Sequence, residues 1–241
     1  MYNTLMYLPV NKIHWYVGLP IVLFIAIRGL MQYKKDKNIL NLYVGLIGSF
    51  YSLCFIFYGL PLLITDNNTV LKFTTIAGDC MQFVGLFFVW LGVIRSYITK
   101  NKQLSSAMGY FALILLIVSI FISIQTNLSS QLTLTQSTSG MWSIQLPSSI
   151  ALDVIMALQY MSFLLFGAFF AYQARFNKDR LRKIRMYAIS IILFAVGALY
   201  VIQPFLSFFQ NSRLPSIIIA GVLFIAGIFI FSSVILNSQK K

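Results

Sequence analysis

Hydrophobic positions in this chain gather into seven long stretches separated by short polar segments. They run over about 14–33, 39–64, 70–98, 106–125, 148–174, 185–208 and 214–236. A helix crossing about 30 Å of hydrocarbon needs roughly 20 mostly apolar residues, and the seven stretches have about that length. None carries the broad polar face of a soluble core helix. The pattern predicts an all-α integral membrane protein, a single seven-helix transmembrane domain over residues 1–241. Charged residues make up 10% of the chain, against about 25% in a soluble domain. Residues 1–12 lack a basic leader region, and no small-residue cleavage site follows the first stretch. The first helix is therefore expected to be retained rather than removed as a signal peptide.

Charge then orients the helices. Lys34, Lys35 and Lys37 follow the first stretch, and Arg95, Lys100 and Lys102 lie about the end of the third. Arg175, Lys178, Arg180, Arg182, Lys183 and Arg185 lie between the fifth and sixth, and Lys240 and Lys241 come last. The other side carries only Lys12, Lys72 and Arg213. The positive-inside rule puts the basic loops in the cytoplasm, with the N-terminus outside and the C-terminus cytoplasmic. A plasma or inner membrane is expected. The net charge of +13 is juxtamembrane, which suits anionic lipid headgroups and argues against nucleic acid as a partner. Arg28 and Arg95 lie near cytoplasmic helix ends, where snorkelling accounts for them.

Polar groups inside the stretches carry the candidate chemistry. A carboxylate in hydrocarbon is costly unless it faces the bundle interior, so an intramembrane acid is a functional candidate. Asp79 lies about nine residues into the third stretch, roughly 14 Å at 1.5 Å per residue, which predicts a place near the midplane. Thr75, Asp79 and Gln82, at i, i+4 and i+7, share its helix face. Asp153 lies nearer the outer interface, where an acid is cheaper. Tyr51, Cys54 and Tyr58 form a stripe on the second stretch, and Gly197, Tyr200 and Pro204 form one on the sixth, with Gln203 beside them. Pro61 and Pro204 free backbone carbonyls and are candidate hinges. The candidate substrate-binding or proton-linked set is thus Asp79, Gln82, Thr75, Tyr58, Tyr200 and Gln203. Aromatic stripes at this spacing are also ordinary packing.

Several alternatives lose ground on composition. The chain has no Glu and one His; His14 stands beside Trp15 and Tyr16, a usual interfacial anchor. A metal hydrolase needs three or four His, Asp, Glu or Cys ligands, and Ser-His catalysis would need His14 deep in the membrane. No metal site and no catalytic residue is assigned, and no cofactor signature is found. Cys54 and Cys80 fall inside neighbouring stretches and are expected to be free thiols. The uncharged segment over about 126–147 is expected outside, as a short amphipathic turn or a cap. Two glycosylation tripeptides, beginning at Asn67 and Asn127, are also expected on that side.

Shifting the chain by 143 residues aligns the first three stretches with the last three. Lys35-Asp36 falls on Lys178-Asp179, Pro61 on Pro204, Asn68 on Asn211, and Ile76-Ala77-Gly78 on Ile219-Ala220-Gly221. This defines candidate parallel repeats over 5–98 and 148–241, joined by the helix over 106–125. The arrangement resembles the three-plus-one-plus-three design of SWEET-type sugar facilitators, although their Pro-Gln signature is absent. The topology also resembles that of opsins, but the last stretch lacks the lysine that a retinal Schiff base requires. Ala77-Gly78-Asp79 is similar to the Gly-Asp motif of intramembrane aspartyl proteases. Those enzymes place their acids on successive helices, whereas Asp79 and Asp153 lie on the third and fifth.

The expected function is a transporter or facilitator for a small solute, not an enzyme, with a central site between the repeats. The alternatives are a receptor-like sensor signalling through a partner, or a structural or assembly subunit of a membrane complex. Ser216 and Ala220, at i and i+4, suit close packing within a subunit or in a homo-oligomer.

Overall fold

A computed structural model describes residues 14–65, 67–97, 101–129, 133–136, 142–146 and 149–206. Six long helices are present among them: α1 (His14–Asp36), α2 (Ile39–Gly59), α3 (Asn68–Tyr97), α4 (Lys102–Ser129), α5 (Ile150–Arg175) and α6 (Arg180–Leu206). The first five are long and apolar enough to cross a membrane. The protein is a helical, multi-pass membrane protein. The seventh stretch, over 214–236, lies outside the described residues, and with it the seven-helix count and the match between repeats.

Helix ends follow local chemistry. α1 and α2 are joined by only two residues, with Lys37 in the left-handed region at φ 54°. Asn38 caps α2 by accepting from the Leu40 amide, and the Asp36 carboxylate accepts from the Asn38 amide and the Asn41 side chain. Such caps satisfy orphan amide donors at the start of a helix. The second stretch, expected as one helix to about residue 64, breaks at Gly59. Pro61 has no N–H to continue the ladder, and Pro61–Leu63 form one 3₁₀ turn instead. The freed Gly59 carbonyl accepts from the Tyr16 hydroxyl at 3.0 Å. Pro61 therefore stands at a helix end, outside any continuous helix.

α4 is longer than its apolar stretch, running to Ser129. The added turn holds Thr126 and Asn127, both buried. Beyond it, Thr133–Gln136 and Trp142–Gln145 pair as an antiparallel hairpin, with Thr133 opposite Gln145 and Gln136 opposite Trp142. The alternating, Thr-rich sequence suits a strand. This hairpin is the departure from an all-helical fold among the described residues. Ser149 caps α5 by accepting from the Leu152 amide, and Asp153 falls in the first turn. An acid there is favoured by the helix dipole, an ordinary structural reason for its presence.

Packing is sequential around one central helix. α1 lies on α2, α2 on α3, and α5 on α6, while α3 also contacts α4 and α5. The α1–α2 seam is backbone against backbone: a Cβ on Gly48 would stand 2.5 Å from the Ala26 nitrogen, and one on Gly29 2.5 Å from the Gly45 nitrogen. Small residues allow such approach in membranes, where van der Waals contact replaces the hydrophobic effect as the driving force. The core of α3 changes character along its length. Towards Tyr97 it buries Leu86, Val89, Trp90, Val93 and Ile94, with Phe166 of α5 packed on Val89 and Val93. Towards Asn68 it buries Thr75 and Gln82. The buried polar side chains of α3 thus lie from its middle towards Asn68.

Candidate functional site

Asp79 is held by side chains from two other helices. Tyr58 of α2 and Ser123 of α4 each donate a hydroxyl to its carboxylate, and Asn127 Nδ2 donates at 2.8 Å. Gly78 makes room for this: a Cβ there would lie 2.7 Å from the Tyr58 ring. On its other side Tyr58 stacks on Trp15 of α1, with ring centroids 4.9 Å apart and planes at 20°. The tyrosine is thus pinned between two helices with its hydroxyl directed at Asp79.

From Tyr58 the network runs inward. Gln82 Oε1 lies 3.1 Å from the Tyr58 hydroxyl, and Gln82 Nε2 donates to the Tyr160 hydroxyl at 2.7 Å. The Tyr51 hydroxyl lies 3.3 Å from the same oxygen. Tyr200 of α6 stacks on Tyr160, with centroids 3.8 Å apart and planes at 8°. Beside this chain, Gln159 Nε2 donates to Ser119 Oγ at 2.9 Å, tying α5 to α4. Tyr160, Gln159 and Ser119 are fully buried. Buried polar groups favour pairing, and here Gln82 pairs with Tyr160 and Gln159 with Ser119 across helices, while Gln159 Oε1 has no hydrogen-bond partner among the described residues.

The depth of the cluster is read from its neighbours. Tyr58 lies in the last turn of α2 and Asn127 in the last turn of α4. Asp79 therefore lies towards that end of the bundle, while Gln82 and Tyr160 lie deeper. The same end carries Lys72, whose Nζ donates to the Leu128 carbonyl at 3.1 Å and caps α4.

Of the residues singled out from sequence, Asp79, Gln82 and Tyr58 meet directly, and Tyr200 joins through its stack on Tyr160. Thr75 shares their helix face, but its hydroxyl donates to the Leu71 carbonyl at 2.8 Å. Gln203 and Pro204 lie in the last part of α6; their side chains are outside those described. Asp153 lies in the first turn of α5. Cys54 and Cys80 are free thiols. No group of three or more metal-binding His, Cys, Asp or Glu side chains occurs among the described residues.

Sequence reasoning missed Ser123, Asn127 and Tyr160. A signal for the first two existed: Ser119, Ser123 and Asn127 recur every fourth residue on an otherwise apolar helix. The sequence around Asn127 suggests instead an outer glycosylation tripeptide. It is 1% exposed and bonded to Asp79, so it is no acceptor for a glycan in the folded protein. Comparison with known protein families and with curated proteins finds no match.

Proposed function

We propose that the protein is a small transporter or facilitator for a small solute, with seven transmembrane helices, its N-terminus outside and its C-terminus in the cytoplasm. The observation that carries this reading is the hydrogen-bonded chain from Asp79 through Tyr58 and Gln82 to Tyr160, which joins α2, α3, α4 and α5. Polar and ionisable groups inside a membrane bundle mark substrate or ion paths. Trp15, Tyr58, Tyr160 and Tyr200 give that path aromatic walls, so a solute would meet rings on its faces and hydrogen-bonding groups at its edges.

In this reading the polar half faces outward and binds the solute. The apolar layer of Val89, Val93 and Phe166 is the barrier that must part for passage. The test is uptake by proteoliposomes holding the purified protein, offered radiolabelled sugars, amino acids and small organic cations. Saturable uptake lost in Asp79→Asn supports the reading, and uptake no greater than in empty liposomes for the whole panel refutes it.

The apolar layer also favours a second reading, a receptor-like sensor whose outward site reports to a cytoplasmic partner without passage. A solute that raises the melting temperature but is never accumulated would select that reading.

A further inference from the structure

We propose that the turn between α5 and α6 is a binding site for an anionic phospholipid, whose phosphate is held by arginine and lysine side chains. The site is separate from the Asp79 cluster, and the proposal stands whether or not the protein transports a solute.

The first observation is a charge that this chain does not balance. Arg175, Lys178, Arg180, Arg182, Lys183 and Arg185 follow one another closely, and the whole sequence has five acids: Asp36, Asp66, Asp79, Asp153 and Asp179. Asp36 is engaged at the α1–α2 turn by Gln32, Asn38 and Asn41. Asp79 is held by Tyr58, Ser123 and Asn127. Asp153 stands at the opposite end of α5, and Asp66 falls in sequence between α2 and α3. Asp179 lies within the basic run but is turned to the backbone. Its Oδ1 accepts from the Leu181 amide at 2.9 Å and the Arg182 amide at 3.4 Å. The start of α6 is therefore already capped, and the open donors are side chains rather than the helix terminus. None of the six basic side chains makes a hydrogen bond or ion pair among the described residues. Arg185 Nη2 is also buried without a partner there. A cation partly withdrawn from water without a counter-charge is costly, and an anion at the neighbouring arginines lowers that cost.

The second observation selects a lipid over a soluble anion. Arg180, Ile184 and Ile191, at i, i+4 and i+11, share one face of α6, and all three are exposed. Ile184 is 47% and Ile191 67% exposed. On α5, Tyr172 and Phe176 are exposed too, their rings edge to face at 5.0 Å. The basic turn thus runs directly into apolar surface on both helices. Basic clusters in this position beside a membrane helix favour anionic headgroups, and the long stems of Arg and Lys lie on hydrocarbon while their charges reach the phosphate. A phosphate at Arg180 and its exposed neighbours Arg175 and Lys178, with an acyl chain along Ile184 and Ile191, meets both the charged and the apolar surface.

The probe is phosphatidylglycerol. Purified full-length protein in detergent is titrated with it, and the melting temperature is followed; ligand bound to the native state alone raises apparent stability saturably. Phosphatidylcholine, glycerophosphoglycerol, inorganic phosphate and a polyglutamate peptide are run beside it. The expected result is a saturable rise with phosphatidylglycerol that none of the other four reproduces. Lys178→Gln combined with Arg180→Gln should raise the apparent Kd about thirtyfold, the combined weight of two cations at a lipid surface. Lys34→Gln combined with Lys35→Gln, in the other basic turn, should leave it unchanged. Both variants exchange side chains without partners and should melt with the parent when no lipid is added. Equal curves for phosphatidylglycerol and phosphatidylcholine overturn the proposal. So does an equal loss from the Lys34 and Lys35 pair, which would make the attraction a diffuse surface charge. A response to the soluble headgroup or to phosphate as strong as to the lipid would make this a free-anion site, and one to polyglutamate a protein-docking site; either result also overturns it.

Discussion

Replacing Asp79 by Asn and by Leu should give opposite stabilities for the same loss of charge. In the native cluster one carboxylate oxygen accepts from Tyr58, and the other accepts from Ser123 and Asn127. An Asn fits if its amide oxygen takes the second place. Its NH₂ then donates to the Tyr58 oxygen, and the Tyr58 proton turns to Gln82 Oε1. Every hydrogen bond to position 79 is kept or exchanged, so Asp79→Asn should fold within about 1 kcal/mol of the parent, the scale of one rearranged hydrogen bond. Leu at 79 removes all three bonds: the Ser123 hydroxyl loses its acceptor, while Tyr58 falls back on Gln82 Oε1 and Asn127 Nδ2 on the Ser123 carbonyl. Interhelical hydrogen bonds in membranes average about 0.6 and reach about 1.7 kcal/mol, so three lost bonds cost about 2 to 5 kcal/mol. Thermal or denaturant unfolding in detergent measures both variants, and uptake is run beside it. The expected pattern is a stable, inactive Asn variant and a destabilised Leu variant. If Leu were as stable as Asn, the network would not hold the helices together. If Asn retained full uptake, the Asp79 charge would have no part in function.

Three further outcomes can be checked. Gly48→Leu should lower stability by about 1 to 3 kcal/mol or more, the cost of overpacking, because its Cβ meets α1 backbone rather than a movable side chain; an unchanged melting temperature would refute the seam. Reporter fusions after Lys37, Lys102 or Arg182 should score as cytoplasmic and those at Asn68 or Thr138 as external; a cytoplasmic score at Thr138 would reverse the orientation. Lys72→Met should cost less than about 1 kcal/mol, since it removes one exposed cap on α4 and leaves Asp79 held; abolished uptake in a well-folded Lys72→Met would instead bring that ammonium into the site.

Much of this architecture was legible because a bilayer imposes one length and one composition on every crossing. Among the described residues, the apolar stretches locate the helices to within a turn or so. Where they erred, the reason was a particular residue: Pro61 cut α2 short, and Asn127, polar enough to suggest a loop, was instead buried in the last turn of α4. Asp79 was legible as a site because an acid on an apolar helix has few explanations. Its partners were not, since which faces of α2, α4 and α5 turn towards α3 is decided by packing between helices. Tyr160 looks like any other aromatic in α5 until Gln82 is seen to donate to it.

The separation in sequence between Asp79 and its partners bears on how the chain is made. Tyr58 precedes Asp79 by 21 residues, whereas Ser123 and Asn127 follow it by 44 and 48. During synthesis α3 therefore reaches the membrane with α2 available and α4 still to come. An acid at the centre of an inserting helix costs about 2.5 to 3.5 kcal/mol, and the Tyr58 hydroxyl alone can offset only part of that. The hydroxyls of Ser49, Ser52 and Thr75, by contrast, donate to carbonyls four residues back in their own helices and need no partner helix. Asp79 thus gains its full set of partners only once α4 has joined the bundle, and α4 completes the third helix as much as it adds a fourth.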